Sequence, residues 1–231
     1  MSTKTTGLMV LALCASAAAQ GVGTSEVKRI QEAAAVLKEI RAVPEKDIPA
    51  SLWTKAKCAA VVPGLKRAAF IVGGEYGKGL VSCRTANGDW SPPVFMKIQK
   101  GSWGAQIGGE EVDLVLLVMN DRGIEHLLKN KVSLGTGASV AAGPLGRDVQ
   151  AATDAAMRAE ILSWSRSHGV FAGVNLSGGV VSPDEDDNRD LYGGPVNPHE
   201  ILVEAKVPSP SAAQPFLDEL RKHDAVERTS K

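Results

Sequence analysis

The sequence predicts an α+β domain: a largely antiparallel, glycine-rich β-sheet, open or barrel-like, with an amphipathic helix on its N-terminal side and short helices near the C-terminus. Three observations lead there. The longer helical patterns lie towards the two ends of the 231-residue chain. Short apolar or β-branched runs fill the middle. The 24 glycines and 12 prolines show no three-residue period, which excludes a collagen-like chain and suits turns between strands. With 44% hydrophobic residues the chain can bury a core, so a disordered polymer is excluded as well.

From Ser25 to Ala42, residues Val27, Ile30, Ala33, Ala34, Leu37 and Ile40 fall on one side of a helical wheel. Lys28, Glu32, Lys38 and Glu39 lie opposite, and Arg29 and Arg41 border the apolar stripe. Pro44 and Pro49 end this helix, and Pro49 can open a short second one through Lys55. Strands are expected at Ala59–Val62, Ala68–Val72, Leu80–Arg84, Val94–Ile98 and Val112–Met119. Asn87-Gly88 joins two of them as a hairpin, because both positions tolerate positive φ. Asp121 caps a short helix carrying Ile124, Leu127 and Leu128. Further strands are expected at Val132–Leu134, Ser139–Ala142, Ala159–Ser165 and Val170–Leu176, with a turn at Gly143–Gly146. The acidic run Pro183–Asp187 opens another helix that Tyr192-Gly193-Gly194-Pro195 stops. Pro208–Ala213 reads as a linker before a last short helix from Pro215.

Charge is balanced overall, 26 basic against 26 acidic residues, which excludes a generally basic nucleic-acid binder. The balance hides an asymmetry: residues 20–105 hold 13 basic and 7 acidic groups, and residues 106–231 hold 12 and 19. Basic residues Lys28, Arg29, Lys38, Arg41, Lys66 and Arg67 gather in the first third, as an anionic membrane surface would favour; packing of the amphipathic helix in the core is the plainer alternative.

Lys4 precedes an apolar run from Gly7 to Ala19 that ends in Ala17-Ala18-Ala19, the zones of a secretory signal cleaved after Ala19. A lipoprotein anchor at Cys14 is the lesser alternative. An exported chain would keep Cys58 and Cys83, an even pair that suits a disulfide closing a 26-residue loop, with two buried free thiols as the other reading.

Several segments imitate catalytic motifs. Gly73-Gly74-Glu75-Tyr76-Gly77-Lys78-Gly79 is one residue short of a phosphate loop and has Gly79 where a hydroxyl must hold magnesium, so it reads as a glycine-rich hairpin. Gly135-Thr136-Gly137 lacks the third glycine of a dinucleotide fingerprint. Ser139 could act as a hydrolase nucleophile with His126 or His168, but Ala141 replaces the elbow glycine. His199-Glu200-Ile201-Leu202-Val203 lacks the second histidine of a zinc helix, and the acidic residues 184–190 lack the spacing of a calcium loop. No metal or other cofactor is expected.

Taken in order, several blocks resemble the SYLF domain family. They are Val61-Val62-Pro63-Gly64 leading to Phe70-Ile71-Val72-Gly73-Gly74, then Gly77-Lys78-Gly79, Arg84, Trp90 and Pro93. Gly101–Gly108 follows with Asp113, then Ala141–Arg147, Ser165–Gly173, and Asn188 with Tyr192-Gly193. The resemblance covers Val27 to Ala205. It implies phospholipid binding without catalysis, phosphoinositides in eukaryotic members, and actin binding in a fungal one. It places the helix role on Lys28, Arg29, Lys38 and Arg41. The expected organisation is a signal peptide over 1–19, a SYLF-like domain over 20–205, and a linker with a short helix over 206–231. The expected function is an exported, non-enzymatic phospholipid-binding protein of the cell envelope, periplasmic or extracellular, held at anionic phospholipid. The alternatives are a protein-interaction or structural module, with homo-oligomers among its partners, and a serine hydrolase centred on Ser139.

Overall fold

Along the first strand, side chains alternate between two interiors. Cys58, Ala60 and Val62 face one core, whereas Ala59 and Val61 face another. The sheet is therefore buried on both faces, which is why its strands read as nearly continuous apolar runs. The structure, a computed structural model, describes residues 22–42, 48–69, 72–103, 108–145, 158–167 and 170–228. The expected signal segment 1–19, Cys14 and His168 lie outside them.

Helices α1 (Thr24–Arg41) and α2 (Ala50–Lys55) precede four long strands: β1 (Cys58–Ala69), β2 (Val72–Cys83), β3 (Val94–Trp103) and β4 (Gly108–Val118). Helix α3 (Asp121–Leu127) leads to β5 (Val132–Ser133), β6 (Val140–Ala142), β7 (Ile161–Ser167), β8 (Val170–Gly173) and β9 (Val180–Pro183). Helices α4 (Glu185–Tyr192), α5 (Pro198–Leu202) and α6 (Gln214–Arg228) close the described chain. The nine strands form one sheet in the order β5-β9-β3-β2-β1-β4-β7-β6, with β8 beside β7. Every pairing is antiparallel except β6 with β7. The edge strands β5 and β6 are joined by Leu134–Ser139 alone, so a sheet of this width must curl to bring them together, as a half-barrel does.

One core holds Val81, Met96, Ile98, Leu114, Leu116 and Ile161, with Leu127 of α3 and Ile201 and Leu202 of α5. On the other face Leu80, Phe95, Val115, Leu117, Leu162 and Trp164 meet Ile30, Leu37 and Ile40 of α1, Trp53 of α2, and Phe216 and Leu220 of α6. The predicted α+β class and antiparallel sheet are thus observed. The Cys58–Cys83 disulfide is present, joining residues directly opposite in the β1–β2 ladder. Among the described residues, no helix is long and apolar enough to cross a membrane.

Some elements differ from expectation. Gly73–Gly79 forms no hairpin but lies within β2, and the predicted strand Ala68–Val72 is divided between the end of β1 and the start of β2. Glycines serve there for close approach: a Cβ on Gly79 would stand 2.1 Å from the Val61 carbonyl oxygen, and one on Gly77 2.7 Å from Val62 Cγ1. The last helix is a 15-residue element packed against α1 and α2, with Phe216, Leu217 and Leu220 buried in the same core.

That helix also buries His223, whose ring stacks on Trp53 with centroids 4.2 Å apart and whose Nε2 lies 3.0 Å from the Leu37 carbonyl oxygen. Burial holds the imidazole down at about 4 from its usual 6.5, opposed by the Leu37 carbonyl. Nearby Arg41 adds to the lowering, while Glu219 and Asp224 oppose it. The unfolded chain takes up a proton below pH 6.5 that the folded one refuses until about 4. This residue's contribution to stability is therefore complete above 6.5 and is lost as pH falls to about 4. The loss is about 3 kcal/mol. Thermal unfolding followed from pH 7 to pH 4 is expected to fall less steeply for His223→Gln than for the native chain; parallel curves would remove His223 as the cause.

Candidate functional site

A depression of about 600 Å³ lies between α1 and the middle of strands β1, β2 and β4, with Arg166 of β7 at one end. Its shape starts from a bulge. At Pro63-Gly64 the register of β1 shifts against both β2 and β4. Proline cannot donate to a ladder, and Gly64 has φ +57°, a conformation that a side chain would strain. The Gly64 N–H instead donates to Asp113 Oδ1 at 2.9 Å.

The floor is built from paired charges. Lys78, set between the two glycines that allow β1 to approach, donates to Asp187 Oδ1 at 2.8 Å and stands 2.7 Å from Asp184 Oδ2. Arg29 of α1 donates to Asp187 Oδ2 at 2.5 Å and lies 5.7 Å from the centre of the Phe95 ring. The two aspartates stand at the start of α4, where the helix dipole favours negative charge. Burial works against the charge of Lys78, but its bonds to Asp184 and Asp187 hold the ammonium well above the usual lysine range. At the other end Arg166 makes two bonds to Asp113 Oδ2, at 2.7 Å from Nε and 2.5 Å from Nη2, and also meets Glu39 of α1. Burial raises Asp113 and lowers Arg166, with the Gly64 amide opposing the shift of the carboxyl.

The rim is different. Lys28 and Lys66 keep 75% and 73% of their side chains exposed, and their carboxylate partners among the described residues are distant, Glu32 at 3.6 Å and Glu111 at 3.9 Å. Exposed pairs of this kind contribute little, so these four side chains can be re-paired across an interface. Tyr76, 43% exposed, stands beside them. Positive and negative groups alternate with one aromatic ring, which suits a polar protein surface better than a uniformly anionic one.

The six basic residues singled out in the sequence are not brought together. Lys28, Arg29 and Lys66 line the depression. Lys38 is exposed on α1. Arg41 donates to Glu219 of α6 at 2.7 Å, and Arg67 lies between Glu75 at 3.4 Å and Glu110 at 3.7 Å. Arg29 and Arg41 thus clamp α1 to its neighbours, and the apolar stripe of that helix is spent on the core. Sequence reasoning missed Tyr76, Lys78, Asp113, Arg166, Asp184 and Asp187 as a group; for Lys78, Asp113 and Arg166 the available signal was a lone charge inside an otherwise apolar or glycine-rich strand.

Among the described residues Ser139 makes no nucleophile–base pair: its Oγ accepts the Glu160 N–H at 2.9 Å. His126 Nδ1 is turned to Glu160 Oε2 at 2.9 Å, and the same carboxylate oxygen accepts the Ser139 N–H at 3.1 Å. Among the described residues there is no group of three or more histidine, cysteine, aspartate or glutamate side chains able to hold a metal.

The family described as "Ysc84: Las17-binding protein actin regulator" matches residues 99–223. The SH3 domain-containing protein PJ696.02 of Schizosaccharomyces pombe is 36% identical over 172 residues, covering 73% of this chain and 40% of that protein. The SH3 domain-containing YSC84-like protein 1 of Rattus norvegicus is 34% identical over 200 residues, 84% of this chain and 57% of that protein. Protein YSC84 of Saccharomyces cerevisiae is 32% identical over 173 residues, 74% and 36% respectively. The chain therefore spans between about a third and somewhat over half the length of these relatives.

Proposed function

The chain belongs to the Ysc84 family, the group of SYLF domains, and from that membership we propose that it is a non-catalytic docking domain that binds a protein partner across the depression between α1 and strands β1, β2 and β4. The observation that carries this reading is the exposed Tyr76 set between Lys28, Glu32, Lys66 and Glu111 over a floor whose charges are already paired. A tyrosine framed by weakly engaged charges is the composition of an interface centre. The family description, an actin regulator and Las17-binding protein, speaks of protein partners and not of a reaction.

A phospholipid surface is the second reading, favoured by the exposure of Lys28, Lys38 and Lys66. Binding of that kind would rest on headgroup charge alone, because the apolar residues of α1 are in the core. Export is retained as part of this proposal, supported by the buried disulfide, which persists in an oxidising compartment.

Co-sedimentation of the purified chain with actin filaments, and separately with vesicles of anionic or neutral lipid, distinguishes the two. Filament binding is expected, weakened about tenfold or more by Tyr76→Ala, as an interface centre requires. Vesicle binding abolished by Lys28→Glu with Lys66→Glu, without filament binding, would replace the first reading by the second.

A further inference from the structure

Helix α1 packs on one face of the sheet around Val61 and Leu80. Further along the same strands, two rows of residues cross β3, β2, β1 and β4 in register. The first row is Gln99, Tyr76, Lys66 and Glu111. The second, two positions on and therefore on the same face, is Gly101, Gly74, Ala68 and Gly109. All four residues of the first row are exposed, and so are the three glycines of the second.

Among the described residues nothing requires glycine at these three positions. None has a positive φ. A Cβ on Gly101 would meet nothing within 4 Å, and one on Gly109 would stand 4.0 Å from the Arg67 carbonyl oxygen. One on Gly74 would lie 3.6 Å from the Lys100 carbonyl oxygen, an ordinary contact. Gly77 and Gly79 differ, since side chains there would collide with β1. Glycine inside a strand costs backbone entropy and packs nothing, so a bare row at the surface suits close approach by another body.

This patch is complementary to itself. Tyr76 projects from the first row, and the bare row beside it offers a flat bed of backbone on which a ring supplies the packing that strand glycines lack. Lys66 and Glu111 put one charge of each sign on the same row, 3.9 Å apart and largely exposed, so a second copy can offer each its opposite. A protrusion beside its own hollow, with both signs of charge, is what an isologous two-fold interface requires.

We propose that this end of the sheet is a self-association surface: two copies of the chain pack face to face, the Tyr76 ring of each on the partner's Gly74 and Gly101, and Lys66 against the partner's Glu111. The patch is four strands wide and two rows deep, about 19 by 14 Å, which makes a weak, concentration-dependent dimer and not a permanent one. The inference rests on the docking reading for the place of the surface and adds its regulation. Tyr76 covered in a dimer is withdrawn from any other protein, so self-association and filament binding compete.

The test is sedimentation equilibrium of the chain alone, from about 10 µM to about 1 mM at low salt. A monomer–dimer equilibrium is expected, with a dissociation constant of about 100 µM that Tyr76→Ala raises about tenfold or more. Gly74→Thr/Gly101→Thr is expected to remove the dimer while the thermal midpoint of the monomer stays level or rises, because threonine suits a strand and neither Cβ meets a close neighbour. Lys66→Glu should weaken association, and Lys66→Glu/Glu111→Lys should restore it. The mass of a single chain at every concentration, a dimer undiminished in Gly74→Thr/Gly101→Thr, or a charge-swapped variant no tighter than Lys66→Glu would overturn the proposal. No filament is present in these measurements, so a monomeric chain leaves the docking reading standing, and failure of filament binding leaves the dimer standing.

Discussion

Lys78→Ala is expected to lower the stability of the folded chain by about 3 kcal/mol, because among the described residues it leaves two buried aspartates with one cation, Arg29 on Asp187. Asp184 and Asp187 are 2% and 6% exposed, so neither can recover water on losing its partner. Lys78 keeps 27% of its side chain accessible, which sets the effect at the lower end of the range for buried pairs. In thermal unfolding the midpoint should fall by about 6 to 12 °C for a chain of this size. Lys78→Met with Asp184→Asn, which removes one charge of each sign, should cost less than the sum of the two single variants, and that shortfall measures the coupling. A loss below about 1 kcal/mol for Lys78→Ala would mean that α1, β2 and α4 are not held together by this cluster.

Reduction of the Cys58–Cys83 disulfide is expected to have an effect of similar size through the unfolded state. Closing a loop with a sequence separation of 25 removes chain entropy from the unfolded ensemble, contributing about 3 to 4 kcal/mol. Both cysteines are buried in the core shared with α3 and α5, so unfolding in urea with and without a reductant reports the covalent link with little change in packing. Cys58→Ala/Cys83→Ala should match the reduced native chain in direction. Identical midpoints with and without reductant would show that the two cysteines are not joined in the folded protein.

Much of the fold was legible in the sequence, for reasons that also mark where legibility ended. The first helix was visible because its apolar positions repeat at helical spacing, and the long strands because β-branched runs between glycines suit little else. Gly77 and Gly79 were read as a turn because glycine signals turns and close strand contact alike, and only the β1–β2 register separates the two. The last helix was underread: Phe216, Leu217 and Leu220 form an apolar face, but the proline-rich approach suggested an appendage.

The charged residues show a sharper limit. Arg29 and Arg41 border the apolar stripe of α1, and that position was the one sequence sign that they point inward. Their partners Asp187 and Glu219 lie 158 and 178 residues away, and no local pattern links them. A cluster of basic letters thus became two internal clamps and a few exposed lysines. Tyr76 carried no signal of its own: it lies opposite Lys66, just past the bulge at Pro63-Gly64, and no local pattern marks it as exposed.

The central claim, a protein-docking surface over α1, β1, β2 and β4, is tested most directly by amide hydrogen exchange on the chain with and without saturating actin filaments. Slowed exchange is predicted around Lys28, Lys66, Tyr76 and Glu111, with α6 and the turn near Thr136 unchanged. Protection confined to α6 or to the β5–β6 turn, with the segment around Tyr76 exchanging as in the free chain, would contradict it.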